Sequence, residues 1–413
     1  MSKRILPYAM WVFPLAFFTY QFILRLWPSL MMQQIMLQFQ IDATGFGFLA
    51  SIYYYGYAGM QLPIAVLLDR YGARYVVCLC AITCGLATLL FTYTTNWHLA
   101  LLSRFLVGAG SAAGFLATSK VISQWFGRQY YARMVGFSFT VGLLGAIYGG
   151  KPVSLLVENF VWQSVASVLA FVGIGIGLFT VLFLKSNNNE EKKENSVCLK
   201  DFGVLLKSPA IWLLAISTLL MVGPLEGFSD VWGLNYLMVA TNLSKSDAAG
   251  IVSLVPVGML FGGPLLVAVS KRFGNYTVIT GCSVGMASAF LYLLYGGDLS
   301  NTYILSVMLL GIGILCCYQV LVFASGSELV TPAMLGVTIA FLNCINMLGG
   351  SFFHSTIGWA MDMFWTGLTD NSIRQYTVES YQKALLIIPL AAAIGGGLVV
   401  ILKVMTQNKG QKS

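Results

Sequence analysis

Charged side chains stand inside stretches of the chain that are otherwise apolar enough to cross a membrane. They include Arg25, Arg104, Glu226 and Asp230. An ionisable residue within a span costs roughly 2.5–3.5 kcal/mol on insertion scales, so each should face a partner or a water-filled cavity. A guanidinium can hold a carboxylate through two parallel hydrogen bonds, and an intramembrane carboxylate can relay a proton. This set predicts binding of a small polar, zwitterionic or anionic solute, with the proton as a candidate coupling ion.

The spacing of these residues suggests where they lie. Arg25 shares a helical stripe with Gln21, and Pro28 beside it can kink the helix. Glu226 and Asp230, at i and i+4, share a face of another helix. Counted from the start of each half of the chain, Arg25 and Glu226 should have similar depth on opposite sides of a central cavity. Two interpretations stay open: a structural pair between Arg25 and one of the acids, or contact of these groups with substrate or a coupling proton.

Other polar side chains in the first half are candidates for substrate binding or coupling. Tyr57 and Gln61, at i and i+4, are chosen from a tyrosine run that covers every face of its helix. Tyr148 and Lys151 are expected to share one face of the fifth span, where Lys151 could line the outer vestibule. Lys120 is expected near the cytoplasmic end of its span, where a long side chain can extend its ammonium to the membrane surface.

The second half adds a polar stripe at helical spacing on the eleventh span. Asn343, Asn346 and His354 either line the cavity or hydrogen-bond a neighbouring helix, which is common in membrane bundles. Glu328 and Asp362, near the ends of their spans, could serve as gate residues, but solvated helix ends are the simpler expectation.

Composition places all these residues in a polytopic membrane protein. Of the 413 residues, 58% are hydrophobic and 9% charged, and the mean hydropathy is +0.79. A soluble domain has about 25% charged residues. At roughly 20 residues a span, this length accommodates about a dozen helices and leaves no room for a separate soluble domain.

Apolar runs of membrane length predict twelve spans in two sets of six. The first set lies near 8–36, 44–68, 75–95, 98–125, 134–157 and 161–184. The second set lies near 209–239, 247–270, 276–296, 302–327, 335–362 and 383–404. The predicted domains are an N-terminal six-helix bundle over 1–184, a charge-rich cytoplasmic linker over 185–208 and a C-terminal six-helix bundle over 209–413.

Lysine and arginine are distributed unevenly over the predicted loops. With both termini inside the cell, only Lys151, Lys245, Arg374 and Lys383 fall outside or near the outer face. Basic residues favour cytoplasmic loops, so both termini are expected in the cytoplasm and the protein in the inner (plasma) membrane. The first helix is too long for the apolar region of a signal peptide and is expected to be retained.

The most abrupt change from apolar to charged residues lies between the second and third spans, at residues 69–74 (DRYGAR). Gly72 permits a reversal with positive φ, and Asp69 can lie against the N-terminal end of a neighbouring helix. Arg70 and Arg74 favour the cytoplasmic side. With Leu67, these residues resemble the loop between helices 2 and 3 of the major facilitator superfamily of secondary transporters. The resemblance implies that Asp69, Arg70, Gly72 and Arg74 form a conformational gate.

Two further stretches resemble the same family. Arg104, Gly108 and Gly110 match its fourth-helix motif, which implies that Arg104 binds substrate or couples protons. Alternatively, Arg104 only anchors its helix to the first one. Residues 145–150 (GAIYGG) resemble a fifth-helix motif linked to antiporters, with Ala146 in place of its proline.

The two halves also resemble one another in sequence, since Gly108-Ala109-Gly110 in the fourth span is matched by Gly311-Ile312-Gly313 in the tenth. Parallel repeats of this kind are found in the family that the motifs resemble. The resemblance implies an all-α membrane protein with twelve transmembrane helices in two pseudo-symmetric six-helix bundles. Such a protein works by alternating access around a central site.

Several classes of protein are disfavoured by what the sequence lacks. There is no Gly-rich phosphate loop followed by Lys-Ser/Thr, so ATP is not expected to drive the protein. The basic residues are scattered among turns, which argues against nucleic acid. Cys78, Cys80 and Cys84 lack metal-ligand spacing, and no enzyme constellation, metal or cofactor is expected.

The sequence therefore predicts a monomeric secondary active transporter in the lipid bilayer, for a small-molecule substrate and with protons as candidate partners. An amino acid or short peptide is the favoured solute. An exporter of amphipathic drugs or a siderophore is the alternative within the class. A transporter-like sensor that carries no flux is the alternative from another class.

Overall fold

The computed structural model describes residues 5–185, 205–296, 299, 301–331, 334–370 and 373–410. Within those ranges, 11 helices are long and apolar enough to cross a membrane. The longest, Ala43–Tyr93, has 51 residues and breaks at Gly72, where φ is 78° and ψ is 163°. Because it supplies one span on each side of that break, the helices account for the twelve predicted spans. Most of the predicted linker, 186–204, lies outside the described residues.

The chain divides into two compact units. Unit 1 contains the described residues of Met1–Ile41 and Phe48–Lys193, and unit 2 those of Asp42–Gly47 and Glu194–Ser413. The first half contributes the helices α1 Leu6–Leu30, α2 Met32–Phe39, α3 Ala43–Tyr93, α4 Trp97–Ser111, α5 Ala113–Trp125, α6 Tyr131–Gly149, α7 Lys151–Asn159 and α8 Trp162–Phe183. A short 3-10 helix, Arg128–Tyr130, precedes α6. The first turn of α3 belongs to unit 2 and the rest of that helix to unit 1.

Unit 2 contains the helices of the second half and one short hairpin. The helices are α9 Pro209–Met221, a π-helix Gly223–Trp232, α10 Gly233–Thr241, α11 Lys245–Val252, α12 Leu254–Phe273, α13 Asn275–Tyr295, α14 Thr302–Cys316, α15 Tyr318–Glu328, α16 Leu335–Met363, α17 Val378–Leu385 and α18 Ile387–Gly410. Strands β1 Thr369–Asp370 and β2 Ile373–Arg374 pair antiparallel between α16 and α17, with Thr369 opposite Arg374.

Several predicted spans are two helices that meet at a break. The span predicted at 8–36 is α1 and α2, which meet at Met31, three residues after Pro28. The span predicted at 134–157 is α6 and α7, which meet at Gly150. The first break lies beside the kink predicted at Pro28. The break at Gly150 was not predicted, because apolarity alone does not distinguish one straight helix from two short helices of the same total length.

Small residues let the helices of each unit approach closely. In unit 1, a side chain at Gly108 of α4 would collide with the backbone carbonyl of Tyr53 in α3. In unit 2, a side chain at Gly313 of α14 would collide with the carbonyl of Val255 in α12. Such close contacts are typical of membrane helices. The same crossing therefore occurs in both units, but Gly108 corresponds to Gly313 and not to Gly311, so the predicted register was wrong by two residues.

The charged stretch at 69–74 is less of a turn than its sequence suggests. Asp69, Arg70 and Tyr71 remain helical, and Gly72 alone leaves the helical conformation. Its positive φ confirms the predicted reason for a glycine there, because other residues rarely adopt this conformation. In unit 2, Gly274 between α12 and α13 has the same conformation, with φ 81°.

Candidate functional site

Arg104 lies in the interior of unit 1 with only 2% of its surface exposed. Its Nη1 donates a hydrogen bond of 3.1 Å to the backbone carbonyl of Leu24 in α1. In a regular α-helix this carbonyl would accept the N–H of residue 28, but residue 28 is Pro28, which has no N–H. The proline thus leaves one buried acceptor vacant within α1, and the guanidinium of Arg104 occupies it.

The rest of the Arg104 guanidinium faces an aromatic ring. Its central carbon lies 5.2 Å from the ring centroid of Tyr53, a cation–π distance. A guanidinium carries five N–H donors. The Nε donor of Arg104 is buried and has no hydrogen-bond partner among the described residues. Within the same residues, Arg104 makes no ion pair.

Arg25 lies near the same aromatic residues. Its guanidinium carbon is 5.7 Å from the ring centroid of Tyr54 and 5.5 Å from that of Phe22. Tyr53 is within electrostatic range of both Arg25 and Arg104. The structure therefore brings the two predicted arginines of unit 1 to one pair of tyrosines.

Gln21 and Tyr57 complete this group. The hydroxyl of Tyr53 donates to Oε1 of Gln21 over a long 3.4 Å, and the rings of Tyr53 and Tyr57 stack with centroids 6.2 Å apart. Both Tyr57 and Gln21 are buried, whereas Gln61, one turn along α3, is partly exposed. Sequence reasoning selected Tyr57 and missed Tyr53 and Tyr54. Tyr53 lies where α3 crosses Gly108 of α4. This crossing would have pointed to the two tyrosines only if it had been known which helices meet.

The buried acids of unit 2 lie on the π-helix. Glu226 has 0% and Asp230 has 3% of its surface exposed. The prediction of an ordinary α-helix here was wrong: Pro224 at its start lacks an N–H, and the segment has the wider π turn that recurs at functional sites. Both carboxylates lie within electrostatic range of Cys316 in α14.

The polar stripe on α16 is tied to α9 at one point. Thr218 of α9 donates to Oδ1 of Asn346 at 3.0 Å, and the hydroxyl of Tyr318 donates to the Thr218 carbonyl at 3.0 Å. The hydrogen bond confirms the expectation that Asn346 could bond a neighbouring helix. Asn346 and His354 are buried, and Asn343 is partly exposed.

Three of the predicted gate residues make side-chain contacts within unit 1. Asp69 accepts a hydrogen bond of 2.8 Å from the ammonium of Lys120. The extended ammonium of Lys120 therefore has an exposed carboxylate as its partner. Arg74 donates from Nε to the carbonyl of Val181 at 2.8 Å, in the last turn of α8, where carbonyls lack partners within the helix. Arg70 contacts the ring of its neighbour Tyr71.

Asp362 is not the solvated helix end that its position suggested. Only 11% of its side chain is exposed, and it pairs with Arg374 at 2.9 Å. Thr44 and Tyr376 donate further hydrogen bonds to the same carboxylate. Glu328, in contrast, is exposed and accepts a hydrogen bond of 3.2 Å from Asn275.

Comparison with known proteins identifies the chain. The family model of the Major Facilitator Superfamily matches residues 12–354. The chain belongs to the major facilitator superfamily. The family consists of transporters, so this chain is a membrane transporter and not an enzyme, as its motifs predicted.

Two relatives of this superfamily member and one solved structure illustrate the match. It is 26% identical over 367 residues to the uncharacterized transporter YybO of Bacillus subtilis (strain 168), across 79% of this chain and 80% of that protein. It is 24% identical over 262 residues to the probable anion transporter 6, chloroplastic, of Arabidopsis thaliana, across 59% of this chain and 50% of that protein. The crystal structure of a bacterial homologue of the human lysosomal transporter Spinster, inward-facing and occupied, has a TM-score of 0.77 at 16% identity and covers 97% of both chains.

The fifth-helix motif of this superfamily member has a packing role. A side chain at Gly145 of α6 would collide with the carbonyl of Thr19 in α1. Tyr148 and Lys151 were predicted on one face of one helix, but Gly150 separates α6 from α7 between them, and both side chains are exposed. That prediction was wrong, because a glycine between two apolar runs leaves no periodic signal of a helix end.

Proposed function

We propose that this superfamily member transports a small organic anion and that Arg104 binds the carboxylate of that anion. The observation that carries the proposal is a buried guanidinium with no ion pair among the described residues. An isolated buried charge is costly unless it is paired and hydrogen-bonded. A solute carboxylate that binds Arg104 supplies the missing charge.

The surroundings of Arg104 support this choice. Tyr53, Tyr54 and Gln21 offer hydroxyl and amide groups to a polar solute, while Arg25 adds a second positive charge near the same rings. In unit 2 the glycine that corresponds to Gly108 is Gly313. Four residues before it, at the position that corresponds to Arg104, stands Leu309. Anion binding is therefore assigned to unit 1. A relative named as a probable anion transporter is consistent with this class of solute.

Glu226 and Asp230 are the proposed coupling groups. Both are buried acids on a π-helix, and an ionisable residue within a membrane span commonly marks a proton relay or a substrate pathway. Uptake of a proton by one of them during the cycle couples transport to the proton gradient. The proposed class of solute includes an amino acid or a short peptide, whose carboxylate would bind Arg104.

The remaining proposals concern orientation, oligomeric state and domain bounds, and the orientation rests on the charge pattern of the loops. The transporter works as a monomer in the inner (plasma) membrane with both termini in the cytoplasm, and its working halves are 1–184 and 209–413, joined by the linker 185–208. A pair between Arg25 and Glu226 or Asp230 stays a prediction.

A thermal-shift screen on purified protein tests the anion proposal. Succinate, D-glucarate, L-glutamate and neutral or cationic solutes are compared on wild type, Arg104→Gln and Arg133→Gln, which replaces an exposed arginine of α6. Anions should raise the melting temperature of wild type and Arg133→Gln and leave Arg104→Gln unchanged. Full stabilisation of Arg104→Gln by the anions would refute the proposal, and stabilisation of wild type by amphipathic cations alone would favour the exporter of drugs.

A further inference from the structure

The interior of helix α1, beyond its first turn, contains two prolines, Pro14 and Pro28, and both are buried. Each removes the N–H that would bond the carbonyl four residues earlier, and its ring crowds that carbonyl. For Pro28 the affected carbonyl is that of Leu24, whose residue has 0% of its surface exposed. A buried carbonyl without a donor is costly. Arg104 supplies the donor at 3.1 Å.

Both sides of this hydrogen bond are held by close helix contacts. Helix α1 lies against α6, where Gly142 contacts the Phe18 ring and Gly145 contacts the Thr19 carbonyl. The helix of Arg104 lies against α3 at Gly108. Side chains larger than hydrogen at these glycines would force the helices apart, so close packing holds α1 against α6 and α4 against α3.

The guanidinium is consequently oriented by two fixed groups, the carbonyl of Leu24 and the ring face of Tyr53. A planar guanidinium binds a carboxylate through two parallel hydrogen bonds only if its plane has the right orientation. A carbonyl has two lone pairs, so an N–H at position 28 would share the Leu24 carbonyl with Arg104 and weaken one of the two constraints. The orientation of Arg104 is therefore sensitive to a donor restored to α1.

We propose that Pro28 is a positioning residue for solute binding: it withholds a backbone N–H, reserves the Leu24 carbonyl for Arg104 and so presents the guanidinium to the carboxylate. This inference rests on the proposed function of Arg104. A purely structural role is the competing explanation, since α1 ends two residues later and the Met31 N–H bonds the Pro28 carbonyl. The two roles differ in what they do to affinity and to stability.

Pro28→Ala and Pro14→Ala form a matched pair, because both restore an N–H within the same helix. Succinate, D-glucarate and L-glutamate are titrated into both variants, wild type and Arg104→Gln, and melting temperatures are recorded without solute. Pro28→Ala should weaken binding by about 2- to 10-fold, the value of one hydrogen bond. Its melting temperature should not fall, because alanine is the better helix former. Pro14→Ala should bind as wild type.

A double-mutant cycle tests whether Pro28 acts through Arg104. In an Arg104→Met background, where residue 104 has no donor, Pro28→Ala should change the residual affinity by less than about twofold. An equal loss in both backgrounds, or wild-type affinity of Pro28→Ala, overturns the inference. Pro28→Gly, which restores the same N–H, serves if the alanine variant does not purify.

The outcomes separate this inference from the proposed function. If Arg104→Gln loses binding while Pro28→Ala keeps it, only the positioning role fails. If Arg104→Gln binds the probes as well as wild type, or if wild type binds none of them, the anion function fails and the positioning role fails with it.

Discussion

The carboxylate of Asp362 at the end of α16 caps the N-terminus of α3, because it accepts a hydrogen bond of 2.7 Å from the backbone N–H of Thr44. The N–H of Ala43, one residue earlier, donates to the hydroxyl of Tyr376 at 3.0 Å. That hydroxyl in turn donates to Asp362. Arg374 of the β-hairpin pairs with the same carboxylate. Residues distant in sequence therefore accept hydrogen bonds from the first N–H groups of this helix.

Asp42 completes the cap. Its side chain accepts the N–H of Gly45 at 3.0 Å, and its carbonyl accepts the N–H of Phe46 at 3.0 Å. The first four N–H groups of a helix have no partner within it, and here each has one. All these residues belong to unit 2, although α3 continues from Phe48 into unit 1. The cap fixes where the second span begins.

Asp362→Asn should lower the free energy of unfolding by about 2 kcal/mol, since an amide accepts fewer hydrogen bonds and loses the pair with Arg374. The melting temperature of the purified protein measures this loss. Asp370→Asn is the control, because Asp370 is exposed on the same hairpin. Equal melting temperatures for the two variants would show that the cap contributes nothing to stability.

Tyr376 should make stability depend on alkaline pH. Burial, followed by its hydrogen bond to Asp362, raises the pKa of Tyr376 above its usual value. The folded protein therefore retains this proton at pH values where the unfolded chain, with a tyrosine pKa of about 10, releases it. The stabilisation is complete below that pH and is lost as pH rises through the folded-state pKa.

The measurement is the melting temperature of wild type and Tyr376→Phe from pH 8 upwards. Wild type should lose stability more steeply above about pH 10 than Tyr376→Phe. Tyr303→Phe, which changes an exposed tyrosine of α14, should behave as wild type. Parallel curves for wild type and Tyr376→Phe would exclude a titration of this residue.

Asp69 and Lys120 should matter for turnover more than for stability. Their ion pair is 2.8 Å long, but the Asp69 side chain is 81% exposed, and exposed pairs contribute about 0–1 kcal/mol. Asp69→Asn should lower transport in proteoliposomes while solute affinity changes by no more than about threefold, within the error of additive effects at distant sites. The exchange Asp69→Lys with Lys120→Asp should recover part of the flux. Unchanged turnover of Asp69→Asn would end the gate hypothesis.

The sequence predicted local features of this protein well. Gly72 was expected at positive φ, and its φ of 78° follows from glycine chemistry alone. The lengths of the apolar runs and the sequence motifs were enough to predict the twelve spans and the family. Features that depend on one helix meeting another were harder. The glycine repeat was set two residues out of register, because spacing within a helix does not reveal which glycine touches its neighbour.

The candidate site shows the same limit. Arg104 was selected from its motif, and Pro28 was recognised as a source of a kink. That Pro28 frees the Leu24 carbonyl follows from sequence, but which donor reaches that carbonyl depends on how α1 packs on α4. Asp362 was expected to be solvated, because only the folded hairpin brings Arg374 beside it. Contacts between segments distant in sequence require the tertiary structure.

Glu226 and Asp230 should separate coupling from binding. If one of them takes up the proton that drives transport, its amide variant cannot exchange that proton, although the solute site in unit 1 is intact. Glu226→Gln or Asp230→Asn should therefore keep solute counterflow in proteoliposomes and lose accumulation driven by an inward proton gradient. Glu158→Gln, which changes an exposed acid of α7, should keep both activities. Accumulation by wild type that ignores an uncoupler would instead establish a uniporter and remove the coupling role from both acids.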